Sequence, residues 1–233
     1  YSINISELAK ELEERGYESL FVPEHTHIPT SRRSPFPGGG ELPKQYSHTL
    51  DPFVSLGFAA ASTKNLKIGT GICLLPQRDP IVTAKSIASL DLMSKGRFVL
   101  GLGGGWNVDE MENHGVTYKT RFAMMKEHVL AMKSLWVDEE AEFHGEYINF
   151  DKSWAYPKPV QKPYPPILMG GETDYTLKRV VDYCDGWFPR GRGGFDASGS
   201  MQRLKDMAAQ SGRDMNTLSV SVFGAPPNEE TIN

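Results

Sequence analysis

The sequence predicts an α/β protein, an eight-stranded parallel βα barrel of the TIM type, on three observations. Short, uniformly apolar segments alternate along the chain with stretches of helical periodicity. The apolar segments lack polar alternation, as parallel strands covered on both faces do. Six such strands fit in 233 residues, where a complete barrel takes roughly 250. The expectation is one barrel domain over residues 1–233, with the first and last strands outside the given sequence, an insertion loop over 28–47, and a small hairpin and proline-rich connector over 141–166.

The organising stretch is 66–115. Leu66-Lys67-Ile68-Gly69-Thr70-Gly71-Ile72 is β-branched and apolar, and the loop Leu75-Pro76-Gln77-Arg78-Asp79-Pro80 stops it. Apolar residues then fall at helical spacing (Ile81, Ala84, Ile87, Ala88, Leu92) until Ser94-Lys95-Gly96 supplies a C-cap. A second strand, Arg97 to Leu102, runs into Gly103-Gly104-Gly105-Trp106-Asn107. This is a right-handed βαβ unit, and ligands of such units bind at the carboxyl ends of the strands. Gly69 and Gly71 weaken strand pairing around Thr70. The expectation is that the Gly71–Ile72 peptide is cis, or that the strand bulges there.

In chain order, a helix over 5–16 precedes a strand over 17–22, which delivers Pro23-Glu24-His25-Thr26-His27 to its end. Residues 28–47, rich in Pro and Gly, predict a long irregular loop, a lid whose Arg32 and Arg33 reach an anionic ligand. Asp51-Pro52 starts a helix with Phe53, Leu56, Ala60 and Ala61 on one face. Residues 121–136 form a helix with an apolar stripe, and 142–150 alternate as a hairpin. Ile167-Leu168-Met169, Gly186-Trp187-Phe188-Pro189 and Leu218 to Val222 are the remaining strands, with helices over 175–183 and 201–210 and a new helix beginning at Glu229-Glu230.

Composition excludes several functions. The net charge of −4, from 25 basic and 29 acidic residues, offers no basic footprint for nucleic acid. No run approaches the ~18 apolar residues of a membrane span, and the opening residues lack a signal-peptide layout, which favours the cytoplasm. Cys73 and Cys184 are the only cysteines and form no CxxC pattern, so they are expected as reduced thiols.

Among candidate sites, the glycine run is neither a Rossmann fingerprint, because Trp106 stands where the third glycine belongs, nor a P-loop. A flat ligand approaching the glycine turn with Trp106 as a wall, or a tight turn with a buried Trp, are both open. His25 and His27 at a strand end would point the same way and suggest a metal pair, but the later strand ends carry Met169, Pro189 and Arg190 rather than further ligands. Glu24 beside His25 suggests a carboxylate–imidazole pair for proton transfer, against a plain loop histidine.

Pro23-Glu24-His25, Gly69-Thr70-Gly71-Ile72, Asp79-Pro80 through Lys85, Gly96-Arg97-Phe98 to Gly105-Trp106-Asn107, the Pro/Gln run at 157–163, Pro166 to Gly171 and Asp185-Gly186-Trp187 together resemble the bacterial luciferase-like flavin monooxygenases, above all their deazaflavin-dependent branch. The resemblance implies a βα barrel binding coenzyme F420, or alternatively FMN, at the carboxyl ends of the strands. It implies Glu24 and His25 as the catalytic acid–histidine pair, and Gly71, Ile72, Cys73 and Leu74 as a bulged strand behind the ring. Trp106, Asp109, Met169, Gly170 and Gly171 are further implied cofactor contacts, and Arg78, Arg190 and Arg192 are cations for the coenzyme's acidic tail. Trp106 stands where some deazaflavin enzymes have a catalytic Glu, and Glu24 where several have Asp. The expected activity is that of an oxidoreductase or monooxygenase acting on a small organic molecule by hydride transfer or oxygen activation, with homodimers implied. A non-catalytic flavin-binding barrel, which a missing cavity beneath the 28–47 loop would favour, and a metal-dependent hydrolase are the alternatives.

Overall fold

The structure is a computed structural model that describes residues 3–191 and 195–224. The predicted helix at Glu229 and the tail cation Arg192 lie outside the described residues. The chain divides into two compact units, residues 1–100 with 104–165, and residues 101–103 with 166–233.

The first unit opens with α1 (Ile5–Glu14) and β1 (Ser19–Val22) and continues through α2 (Pro52–Ser62) to β2 (Lys67–Thr70), β3 (Cys73–Leu74), α3 (Pro80–Ser94) and β4 (Phe98–Gly103). It closes with α4 (Val108–Asn113), α5 (Arg121–Val137) and an antiparallel hairpin of β5 (Ala141–His144) and β6 (Asn149–Ser153). β1 pairs parallel with β2 (Ser19 opposite Lys67, Val22 opposite Thr70), and β2 pairs parallel with β4 (Ile68 opposite Phe98, Gly69 opposite Val99).

Local chemistry sets these boundaries. Helices α2 and α3 both begin Asp-Pro: the Asp51 and Asp79 carboxylates accept from the N–H groups of Val54 (3.0 Å) and Val82 (2.8 Å), and the proline fills the first helical position, where no donor is needed. Helix α3 ends on two left-handed residues, Lys95 (φ 60°) and Gly96 (φ 79°), and the Gly96 N–H returns to the Asp91 carbonyl at 2.8 Å. The predicted single strand over 66–72 is broken, because the Gly71–Ile72 peptide is cis and separates β2 from β3. Gly69 has a packing reason: a Cβ there would stand 2.4 Å from the Phe21 ring and 2.8 Å from the Val99 carbonyl oxygen.

The predicted apolar faces are partly corrected. On α2, Ala59 and Ala60 are buried while Ala61 is exposed. On α3, Ala84, Ile87 and Ala88 are buried as expected, but Ile81 and Leu92 lie on the surface. The inward face of α3 instead includes Asp91, fully buried because Gln161 of the proline-rich connector donates to it through both its backbone N–H (3.0 Å) and its Nε2 (2.7 Å). A polar residue with satisfied partners takes a core position that periodicity assigns to an apolar one. Leu56, Ile68, Leu75, Ile87, Leu100 and Met125 are fully buried core residues of this unit. Each such side chain contributes roughly 1.5–3 kcal/mol relative to exposure.

At the amino ends of β2 and β4, two charged side chains bind backbone. Glu13 of α1 accepts from the N–H groups of Lys64 (2.9 Å), Asn65 (2.6 Å) and Leu66 (2.8 Å), which hold its carboxyl below the usual range. The Arg97 guanidinium donates to the carbonyls of Ala60 (2.8 Å), Leu66 (2.8 Å) and Ser94 (2.8 Å) and to the Thr63 hydroxyl (3.0 Å).

The second unit is a βα repeat of β7 (Ile167–Gly170), α6 (Asp174–Tyr183), β8 (Gly186–Phe188), α7 (Ala197–Gln210) and β9 (Ser219–Val220), with β7, β8 and β9 parallel in that order. Helix α7 begins four residues before the predicted 201, at the cap Asp196, whose carboxylate accepts from the Gly199 N–H at 2.9 Å. No helix among the described residues is long and apolar enough to cross a membrane.

Candidate functional site

In the first unit, the segments that follow β1 and β3, and residues 104–113, carry candidate functional groups. β1 stops at Val22, so residues 23–27 are loop and the strand alternation expected of His25 and His27 does not reach them. Glu24 and His25, adjacent in this loop, take different partners. The Glu24 carboxylate, 3% exposed, accepts from the Leu74 N–H at 2.7 Å and from Arg78 Nε at 2.6 Å. Arg78 also reaches Asp51 at 2.8 Å. Glu24 thus takes the Leu74 N–H and Arg78 as its partners. Glu24 is held in an ion pair that ties β1 to the loop after β3, and Arg78 is a partner of Glu24 rather than a free cation.

The carboxylate of His25 is Glu110, which the sequence reading missed. His25 Nδ1 donates to Glu110 Oε2 at 2.8 Å, and the Thr26 N–H donates to Glu110 Oε1 at 3.1 Å. Glu110 is fully buried, and the His25 side chain is 7% exposed. An ionised carboxylate is acceptor only, so it fixes the proton on Nδ1 and leaves Nε2 as the exchanging nitrogen. Glu110 stands on α4, a six-residue helix too short and polar to register by periodicity. Its sequence signal was Asn107 followed three residues later by Glu, a capping pattern, and Asn107 Oδ1 accepts from the Glu110 N–H at 3.3 Å. His27 is exposed and pairs with Asn113 (2.8 Å) and Thr26 (2.9 Å). No cluster of three metal-ligating side chains occurs among the described residues.

Two rings lie against His25, and a third packs on both of them. Tyr46 and Trp106 lie 5.4 Å and 5.9 Å from it, and Phe36 lies 5.1 Å from Tyr46 and 6.2 Å from Trp106. Trp106 is half-buried and serves as a wall beside His25, while Phe36 and Tyr46 come from the insertion loop, where no periodicity announced them. That loop is not wholly irregular, since Lys44–His48 forms a turn of 3₁₀ helix. It is fastened to α4: Ser31 and Arg33 bind the Asp109 carboxylate, Arg33 also binds Glu112, and the Ser34 hydroxyl accepts from the Val108 N–H at 2.8 Å. The Arg33 guanidinium, then Ser31, holds the Asp109 carboxyl below its usual range. Asp109, expected as a cofactor contact, is thus an anchor of the loop.

Around β3, Cys73 and Leu74 are buried and Gly71 and Ile72 half-buried. Burial, then the neighbouring Glu24, pushes the Cys73 thiol well above its usual range. Beside Leu74, Gly105 has φ 70°, and a Cβ on it would stand 2.6 Å from Met111 Cε, 3.5 Å from Leu74 and 3.8 Å from Gln77 Nε2. Gln77 Nε2 and Oε1, and Asn107 Nδ2, are buried without any hydrogen-bond partner. Such groups cost roughly 1–3 kcal/mol each when left unpaired. A glycine cradle with two donors and one acceptor beside it suits a polar, planar cofactor.

In the second unit the Met169 side chain is buried, and Gly170 and Gly171 are half-buried. Gly171 has φ 119°, and its carbonyl accepts from Trp187 Nε1 at 2.7 Å. Arg190 donates from Nε (2.9 Å) and Nη2 (2.8 Å) to the two oxygens of Glu172, so it too is engaged by a carboxylate.

A family profile described as luciferase-like monooxygenase matches residues 3–230. An uncharacterized protein of Mycobacterium tuberculosis is 43% identical over 88% of this chain and 74% of its own length. The F420-dependent hydroxymycolic acid dehydrogenase of the same organism is 29% identical over 73% of this chain and 48% of its own. The FMNH2-dependent dimethylsulfone monooxygenase of Pseudomonas putida is 26% identical over 70% and 44%. The solved F420-dependent secondary alcohol dehydrogenase, in complex with an F420–acetone adduct, superposes with a TM-score of 0.76 at 23% identity, over 93% of this chain and 63% of that one. The chain thus spans less than two thirds of that solved structure, with which it shares the luciferase-like α/β barrel fold predicted from its sequence. With a profile match over nearly its whole length and a relative 43% identical across 88% of it, the chain belongs to the luciferase-like monooxygenase family.

Proposed function

We propose that this chain is a cytoplasmic F420-dependent oxidoreductase that acts on a small organic substrate, with His25 as its proton-handling group and Glu110 as the residue that orients and charges it. The observation that carries the reading is the buried His25–Glu110 pair walled by Trp106 and Tyr46. Gly71 to Leu74, Gly105, Gln77 and Asn107 would hold the cofactor in the first unit; Met169, Gly170, Gly171 and Arg190 of the second unit are candidates on the family resemblance alone. The orphaned polar atoms of Gln77 and Asn107 support that placement. Bound F420 would supply two-electron hydride chemistry. His25 Nε2 takes up or delivers the proton that accompanies the hydride at substrate, and the Glu110 carboxylate stabilises the imidazolium while Nε2 is protonated. Trp106 and Tyr46 pack against the His25 ring and would limit its access to water.

An open surface pocket of about 540 Å³, lined by insertion-loop residues, is in keeping with a substrate-handling protein. Cys73 and Cys184 are buried and neither is in a disulfide, as suits a reducing compartment. A homodimer is proposed through the adjacent helices α2 and α3, which expose Val54, Phe58, Val82 and Met93.

FMN is the second reading, favoured by the FMNH2-dependent relative. Parallel fluorescence titrations with F420 and FMN separate the two, with F420 expected to bind tighter; tight FMN binding without F420 binding would overturn the cofactor assignment. With F420 and a panel of alcohols, His25→Ala should lower turnover by about 10²-fold and leave cofactor affinity within a few fold. Unchanged turnover would remove His25 from the chemistry.

A further inference from the structure

The insertion loop contains two arginines side by side, and they have different fates. Arg33 is consumed by Asp109 and Glu112. Arg32 has no carboxylate partner among the described residues, lines the 540 Å³ cavity, and adopts φ 51°, a left-handed conformation that few non-glycine residues take up. Lys44 lines the same cavity, again with no carboxylate partner among the described residues. Glu41, also on the wall, pairs with neither, so the cavity carries a net positive charge. The remaining wall includes the apolar Ile28, Phe36 and Leu42. Phe36 is shared: it lines the cavity on one side, and on the other it contacts Tyr46 and Trp106, both of which contact His25.

We infer that this cavity is the anion-binding end of the substrate site, and that the substrate is an elongated organic acid whose carboxylate or phosphate is held by Arg32 and Lys44. Its apolar body follows Phe36 and places the reacting carbon at His25, two ring contacts away. The inference deepens the proposed redox function by naming its substrate class, and it rests on that reading for what happens at His25; the anion site itself is tested without cofactor. A cation pair beside an apolar wall discriminates by charge, because hydrogen bonds to charged groups are stronger than those between neutral groups. Loss of both cations is then expected to weaken an acid by tenfold or more and to leave its neutral analogue unchanged. The acidic tail of F420 offers the same chemistry from another source, and the two sources separate in competition.

The experiment is calorimetric titration of the cofactor-free protein with a series of phenylalkanoates and linear C6 to C12 carboxylates, each beside its primary amide, for wild type and Arg32→Gln/Lys44→Gln. Both substituted side chains are exposed, and a thermal melt confirms the fold. The expected result is at least one acid bound tenfold or more tighter than its amide, with that preference abolished in the double variant and retained when F420 is saturating. Equal binding of acid and amide, no acid bound, or an unchanged preference in the variant overturns the inference. Displacement of the acid by F420 also overturns it, by giving the cations to the coenzyme. The F420 and FMN titrations are scored separately, so failure of the redox reading leaves its own signature.

Discussion

His128 gives a pH dependence of stability that is worked directly from its surroundings. It sits on α5 with 3% of its surface exposed, and its Nδ1 is buried without a hydrogen-bond partner. Burial pushes the imidazole down to about 4, against the opposing pull of the Asp79 and Glu127 carboxylates. The unfolded chain protonates this group near its reference value of 6.5. Between those values the unfolded state binds a proton that the native state refuses, so the stability present above pH 6.5 is lost as the pH falls through the window. The whole shift corresponds to about 3 kcal/mol, of which about 2 kcal/mol is lost between pH 7 and pH 5. Carboxylates titrate mostly below that interval. Urea unfolding of wild type and His128→Leu at pH 7, 6 and 5 should therefore show the wild type losing about 2 kcal/mol more than the variant. Parallel pH dependences, or an NMR titration of the native ring near 6.5, would refute the assignment.

Three further outcomes follow from packing. Gly69→Ala should destabilise the protein by about 1–3 kcal/mol in urea, since its Cβ would press on the Val99 carbonyl oxygen as well as the Phe21 ring; no loss would mean that β1 and β2 adjust freely. Asp109→Asn should speed tryptic cleavage at Arg32 and Arg33 several-fold by releasing Ser31 and Arg33, and an unchanged cleavage rate would count against the anchor. Phe58→Glu/Met93→Glu should convert a dimer to monomer in light scattering, whereas a wild-type monomer would remove α2 and α3 as an interface.

Much of the fold was legible because it rests on short-range signals. Asp-Pro pairs marked the starts of α2 and α3, Gly96 marked the end of α3, and the interruption around Gly71–Ile72 was announced by glycines in a buried strand. The site was less legible because its partners are assembled by the fold. Glu24 stands next to His25 in sequence, yet its partners are the Leu74 N–H and Arg78. The carboxylate that meets His25 comes from 85 residues further along the chain. Phe36 and Tyr46 sit in a loop whose course no periodicity describes, and Asp91 hides a polar group in a helix face that hydrophobic spacing draws one step away.

The two clasps at the amino ends of β2 and β4, Glu13 and Arg97, have a consequence for how this protein tolerates change. From α1 and the start of β4 they bind backbone donors at the entry to β2 and backbone acceptors at Ala60, Leu66 and Ser94, at the end of these strands remote from His25, Gln77 and Gly105. The clasps are therefore at one end of the strands and the candidate site at the other. A loop exchange over 28–47, or a new side chain at position 106, alters what is recognised without touching the groups that hold the helices to the strands. Variation in specificity and loss of stability are thereby uncoupled, which leaves the substrate end of this framework free to diversify.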